Sequence, residues 1–285
     1  MSVRKDLETV VKQGTIAILL AFAAVACIAR EKPALVEGRE AAPGATSHDP
    51  HIPSTLIDSG HAGSLALPAS ADASAKPSAI VIGFVGGFIK HDDPVHGGVL
   101  FAARLRKHFS SAVHVEVFEN HRREQARRQV LRLLDADHDG TLTAEEKRNA
   151  RVIIYGVSWG ASEAVTLSRE LEQDGIPVLL TIHVDSVTKI GQNDEVIPAN
   201  VARAANFYQS DGFLHGRPEI RAADPARTQI IGNFHFEYKT NPIDCSQYPW
   251  FARAFEKPHI EIESDPRVWD QVDALIRSTL LANTN

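Results

Sequence analysis

Cysteine is nearly absent. Cys27 and Cys245 are the only two in 285 residues, too few for a disulfide framework. Basic charge is also scarce, with 30 Lys and Arg against 36 Asp and Glu, a formal net charge of -6. No basic surface therefore advertises nucleic-acid binding. Internal repeats are missing too, so the chain is not a stacked array. What is present is apolar material: 44% of residues are hydrophobic and 23% charged. That suffices for one good-sized core in one or two domains.

The N-terminus differs from the rest. Arg4, Lys5 and Lys12 precede an uncharged run over residues 14–29, and Arg30 closes it. A basic start, a short apolar stretch and small residues at its end form the layout of a secretory signal. The run is shorter than the roughly twenty residues that span a bilayer comfortably. A signal over residues 1–30 is the first reading, and it makes the working part of the chain exported: periplasmic, secreted or envelope-anchored. A signal anchor, a lipoprotein and a buried N-terminal helix are the alternatives; Ala24-Val25-Ala26-Cys27 resembles a bacterial lipobox. Residues 31–77 are rich in Pro, Ala, Ser and Gly, with no sustained period. They read as a flexible linker, in which 53–67 could add a strand to the body.

From residue 79 strands alternate with helices. Strand-like runs cover 79–85, 113–118, 152–156, 177–184, 204–208 and 228–231; helical stretches cover 97–108, 121–134, 160–173 and 266–281. Buried β-branched runs separated by helices predict an α/β domain over 78–285, a mostly parallel sheet covered on both faces.

Gly156-Val157-Ser158-Trp159-Gly160 matches G-x-S-x-G between a strand and a helix. A sharp strand-to-helix turn lifts a serine hydroxyl clear of the sheet, and flanking glycines avoid collision with neighbouring backbone. The helix N-terminus favours an oxyanion nearby. In this context "YGVSWG" resembles the nucleophile elbow of the α/β-hydrolase family, a likeness that extends over roughly residues 79–285. The resemblance implies an α/β-hydrolase fold, a nucleophile at Ser158 and an oxyanion N–H from Trp159. It implies a second oxyanion donor in the loop after "AIVIGFVGGF". Gly87 or Phe88 is the donor if Gly86 is the matching glycine, Phe84 if Gly83 is.

Triad order in that family is serine, acid, histidine, so the partners lie downstream. Asp185 ends the strand after the elbow, which puts its carboxylate on the same sheet edge as Ser158. Asp211, after "AANFYQ", is the rival acid. His259 is the expected base, in a loop before the C-terminal helix, with His235, just past the last strand, as competitor.

Residues 135–146, "DADHDGTLTAEE", match the calcium loop of an EF-hand, D-x-D-x-D-G-x5-E, at every position. Asp135, Asp137, Asp139 and Glu146 would supply carboxylates, Thr141 a carbonyl and Thr143 a water-mediated contact, while Gly140 permits the turn. The loop feeds the start of the Ser158 strand, far from its catalytic end, so a structural calcium ion is expected. No organic cofactor is. His91, Asp92, Asp93 and His96 crowd an irregular loop and read as a polar rim rather than a metal centre.

The sequence thus points to a serine hydrolase acting on a small-molecule or lipid ester, with thioester or amide as neighbouring substrates. No long insertion follows Asp185, so no large lid is expected, which favours an esterase over a lipase. Attachment to a membrane would run through the N-terminus. A non-catalytic, calcium-stabilised binding protein on the same scaffold is the alternative.

Overall fold

The structure, a computed structural model, describes residues 77–282. The expected signal, Cys27, the 53–67 strand and the linker up to residue 76 lie outside the described residues. Among the described residues no helix is long and apolar enough to cross a membrane.

The elements run β1 (Ala79–Val85), α1 (Gly97–Phe109), a 3-10 turn (Ser110–Ala112), β2 (Val113–Glu119), α2 (Arg123–Leu134), α3 (Ala144–Arg148) and β3 (Val152–Val157). They continue with α4 (Trp159–Gln173), β4 (Val178–Val184), β5 (Val196–Ile197), β6 (Val201–Gln209), β7 (Arg221–Ala222) and β8 (Gln229–Phe236). Helices α5 (Trp250–Phe255), α6 (Lys257–Ser264) and α7 (Pro266–Ala282) close the chain. Among the described residues six strands form one sheet in the order β2-β1-β3-β4-β6-β8, every pair parallel, and β5 with β7 makes a separate two-stranded ribbon.

The alternation of side chains along each strand builds two cores. Val81, Ile153, Tyr155, Ile182 and Phe207 face α1 and α7, packing on Phe101, Leu105, Trp269 and Ile276. Ile80, Ile82, Ile154 and Val178 face α2 and α4, packing on Val130, Leu134, Leu167 and Leu171. Each such side chain contributes roughly 1.5–3 kcal/mol on burial. The central strands can be apolar on both sides because neither face meets water. Tyr155 is the largest fully buried side chain; its hydroxyl donates to the Gly98 carbonyl at 2.8 Å. Gly83 makes room for that ring, since a Cβ there would stand 2.3 Å from Tyr155 Cζ.

Strand order sets the position of the site. The chain leaves β1 toward β2 on one side, then returns to lay β3 on the other. A crevice opens at such a reversal, beyond the carboxyl ends of the two diverging strands. Ser158 follows β3 at that place, and Gly86 follows β1.

Three expectations need correction. His259 lies inside α6 rather than in a loop. The last strand runs on to Phe236, so His235 belongs to it rather than following it. The 177–184 strand starts one residue later, because Pro177 has no N–H to give a ladder.

Candidate active site

The turn after β3 is held by what cannot be added to it. A Cβ on Gly156 would stand 2.2 Å from the Gly160 carbonyl oxygen, and one on Gly160 would stand 2.3 Å from that of Phe84. Backbone does not yield at such distances, so both glycines are required. Between them Ser158 sits at φ 55 and ψ -125, a conformation that costs a non-glycine residue about 1–3 kcal/mol. Its N–H donates to the Val184 carbonyl at 2.9 Å, tying the turn to β4. Helix α4 begins at the next residue, Trp159. Ser158 is 3% exposed, and its Oγ is buried without a hydrogen bond.

The β1 loop presses on the serine from the other side. A Cβ on Gly86 would lie 2.6 Å from Ser158 Cβ and 3.3 Å from Oγ. The loop then turns tightly, with Gly87 at φ 45 and the Ile89 N–H returning to the Gly86 carbonyl at 3.2 Å. Phe88 crosses the Trp159 ring edge-on, with centroids 6.2 Å apart. Of the residues expected around an oxyanion, Trp159 follows Ser158 directly, while Gly87 and Phe88 follow Gly86, the loop residue that touches the serine. Phe84 remains inside β1.

Asp185 follows β4 at φ 45 and is fully buried. Its Oδ1 accepts from the Gly216 N–H at 2.8 Å and the Gln209 N–H at 3.1 Å. Oδ2 accepts from Gln209 Nε2 at 2.8 Å and meets His259 Nδ1 at 2.6 Å. Carboxylate oxygens only accept, so His259 carries its proton on Nδ1 and leaves Nε2 as a base. Burial disfavours the imidazolium, but the hydrogen bond and charge of Asp185, joined by Glu256 and Glu263, outweigh it and raise the His259 pKa.

The other candidates are committed elsewhere. Asp211 pairs with Lys239 Nζ at 2.7 Å and caps the Tyr238 N–H at 3.2 Å. The Lys239 hydrogen bond, foremost, holds the Asp211 carboxyl below its usual range. His235 meets Ser210 Oγ at 2.9 Å. His183, on β4, is fully buried with both ring nitrogens unpartnered, and burial pushes it down to about 4. His91 pairs with Glu119 and His96 with Glu263, so the two histidines of the 91–96 cluster turn to different carboxylates, though Asp93 stays 3.9 Å from His96. The hydrogen bond expected between Ser158 and a histidine is not closed in this structure. Such contacts are commonly long without substrate and tighten on binding.

Sequence reasoning missed two residues that fix the Asp185 carboxylate. Gln209 ends β6 fully buried and gives Asp185 two donors. Gly216 cannot carry a side chain, since its Cβ would stand 2.3 Å from Asp185 Oδ1. The nearest signal was a lone glutamine closing an otherwise apolar strand end.

At the far end of β3, ligand atoms of Asp135, Asp137 and Asp139 lie within 4.8 Å of one another. Asp135 Oδ2 accepts the Gly140 N–H at 3.0 Å, while Oδ1 is buried without a partner. Glu146 closes the loop, accepting from the Ala136 N–H at 2.7 Å and forming a capping box with Thr143 at the start of α3. The six residues of β3 separate this loop from Ser158, a span of about 20 Å at strand rise.

No family model matches the chain, and no curated protein does. Among solved structures, RedJ with a polyethylene glycol molecule bound in its active site aligns at 10% identity with a TM-score of 0.38. The alignment covers 75% of this chain and 94% of that one. A likeness at that level says nothing of chemistry. The class defined by the strands themselves is a parallel α/β sheet flanked by helices, with a strained serine turn at its point of reversal.

Proposed function

We propose that the protein is a serine hydrolase of carboxylic esters with a structural calcium site. The observation that carries the reading is the joint geometry of the Ser158 turn and the Asp185–His259 pair on one sheet edge. In this account Ser158 Oγ attacks the ester carbonyl while His259 Nε2 takes its proton. The oxyanion is met by N–H groups of Trp159 and of the Gly87–Phe88 loop, where such donors are typically worth 2.7–4 kcal/mol each by deletion (about 10²–10³ in rate). The imidazolium returns its proton to the departing alcohol, leaving an acyl-enzyme. Water, deprotonated by the same imidazole, then releases the acid.

Exposed apolar side chains on loops beyond the carboxyl ends of three strands favour an ester with an apolar portion. These are Phe88 after β1, Ile190 after β4 and Phe213 after β6. A small-molecule or lipid ester fits that rim. Export by the N-terminal segment, with membrane attachment through it, belongs to the same proposal.

A nitrophenyl ester tests the reading through burst kinetics and pH. A burst equal to the enzyme concentration is expected, followed by slower turnover. His259 must be neutral to accept a proton, so kcat/KM is expected to fall as pH drops through its raised pKa, with a midpoint above about 6.5, the ordinary histidine value. No turnover by folded protein, or a midpoint below that value, would count against the assignment.

For calcium, the donor set is all oxygen, and the orphaned buried Asp135 Oδ1 is the kind of atom a cation satisfies. Asp135, Asp137, Asp139, the Thr141 carbonyl and Glu146 would hold the ion, with Thr143 through water. The ion supplies charge neutralisation at the loop that leads into β3, and no catalytic step passes through it. A ligand bound only by the folded state adds about 2.7 kcal/mol at a hundredfold excess over Kd. For a domain of this size that is about 5–11 °C in Tm. Chelation is expected to lower Tm by that order, reversibly, and Asp137→Asn with Asp139→Asn to abolish the calcium response. An unchanged Tm on chelation of the calcium-loaded protein would remove the ion from the account.

A further inference from the structure

Behind the 86–89 turn lies a buried polar chain that takes no direct part in the reaction above. Glu163, in the second turn of α4, is 1% exposed. Its carboxylate accepts from Arg123 Nη1 at 2.6 Å, Lys189 Nζ at 2.6 Å and Gln192 Nε2 at 2.9 Å. Lys189 Nζ donates in addition to Asn120 Oδ1 at 3.0 Å and to the Asn120 carbonyl at 3.1 Å. Asn120 is itself buried and donates from Nδ2 to the Gly87 carbonyl. Chemistry leaves one orientation for this amide. An ammonium only donates and a carbonyl only accepts, so Oδ1 faces Lys189 and Nδ2 faces Gly87.

Strand order converts that contact into a direction. Asn120 follows β2 and Ser158 follows β3, while the 86–89 turn leaves β1, which lies between them. Asn120 therefore anchors the Gly87 carbonyl on the side of the turn where its own amide lies. In a trans peptide the C=O and the N–H of the next residue point in opposite directions. The Phe88 N–H is thus directed away from Asn120, and the close approach of Gly86 to Ser158 places the same loop against the serine.

We infer that Asn120, held by Lys189 and through it by Glu163, is a positioning residue that sets the Gly87–Phe88 peptide and makes the Phe88 N–H the second oxyanion donor beside Trp159. The inference rests on the serine-hydrolase reading of Ser158. It also gives the Glu163 cluster a purpose that stability alone does not explain. Buried ion pairs add little net stability, because desolvation consumes most of their Coulomb attraction.

Two variants separate positioning from mere support. Asn120→Asp keeps the side chain's shape and the acceptor for Lys189 but has no N–H for the Gly87 carbonyl; Asn120→Ala removes both. For each, kcat and KM are measured on a nitrophenyl ester, with the inhibition constant of a trifluoromethyl ketone, which binds serine as a tetrahedral adduct. The expected result is a fall in kcat of about 10- to 100-fold, somewhat less than outright loss of an oxyanion donor. Ketone affinity falls in parallel, KM stays within about twofold, and Asn120→Asp melts near the wild type. Unchanged kcat and ketone affinity in Asn120→Asp would overturn the inference, as would a change confined to KM. A folded wild type that neither hydrolyses the ester nor takes up a fluorophosphonate fails at the earlier step, and the positioning role falls with it.

Discussion

Ser158→Ala is expected to leave a folded protein with ester turnover reduced by about 10⁶-fold, the order seen when the nucleophile of a serine hydrolase is removed. Its stability should not fall. The Ser158 hydroxyl is buried and makes no hydrogen bond, so deleting it relieves an uncompensated desolvation cost. Alanine meets the same backbone strain at φ 55 that serine does. Loss of activity together with an equal or raised Tm is the combination to look for. A group retained for its chemistry behaves this way, whereas one retained for packing would take stability down with it. A variant that melts lower while keeping its activity would contradict the assignment.

Asp185→Asn has the second largest expected effect, and its cause is a proton on the wrong nitrogen. The backbone N–H groups of Gly216 and Gln209 fix Oδ1 as an acceptor, so the amide of asparagine must stand where Oδ2 was. There it confronts two donors, His259 Nδ1 and Gln209 Nε2. His259 answers by moving its proton to Nε2, where it can no longer accept from Ser158. A loss of about 10⁴ in kcat is expected, as for the corresponding change in other triads, with KM little altered. Asp211→Asn is the matched control. Its carboxylate serves Lys239 and the Tyr238 N–H, so turnover should stay within a few-fold of wild type. If the two variants exchange these outcomes, the acid has been misassigned.

The difference between these aspartates shows where sequence reading ran out. Strand-and-helix texture, the glycine-flanked serine turn and the 135–146 loop were legible because each depends on neighbours a few residues away. Gly156 and Gly160 were required by contacts within one turn and its adjacent strand, and spacing alone exposed them. Asp185 and Asp211 could not be separated in that way. What distinguishes them is a loop that folds back to bring the Gly216 N–H over Asp185, together with a glutamine from the end of β6. Both are tertiary contacts with no local periodicity.

His259 was misplaced for a related reason. "KPHIEIES" alternates apolar and charged residues and lacks a helical stripe, yet it forms α6 with a proline in its first turn. Its glutamates are buried because distant groups receive them, Glu261 the Ile243 N–H and Glu263 the ring of His96. Glu163 is the same case on α4. In sequence it resembles an ordinary solvated position, and only the approach of Arg123 and Lys189 makes it a buried acceptor.

Whether Ser158 is an activated nucleophile is decided by treating folded, calcium-loaded protein with a fluorophosphonate and mapping the adduct by mass spectrometry. One phosphonylated site is expected, on the peptide containing Ser158, absent in Ser158→Ala and slow to form in Asp185→Asn. Uptake at another residue, or none at all by the folded wild type, would contradict it.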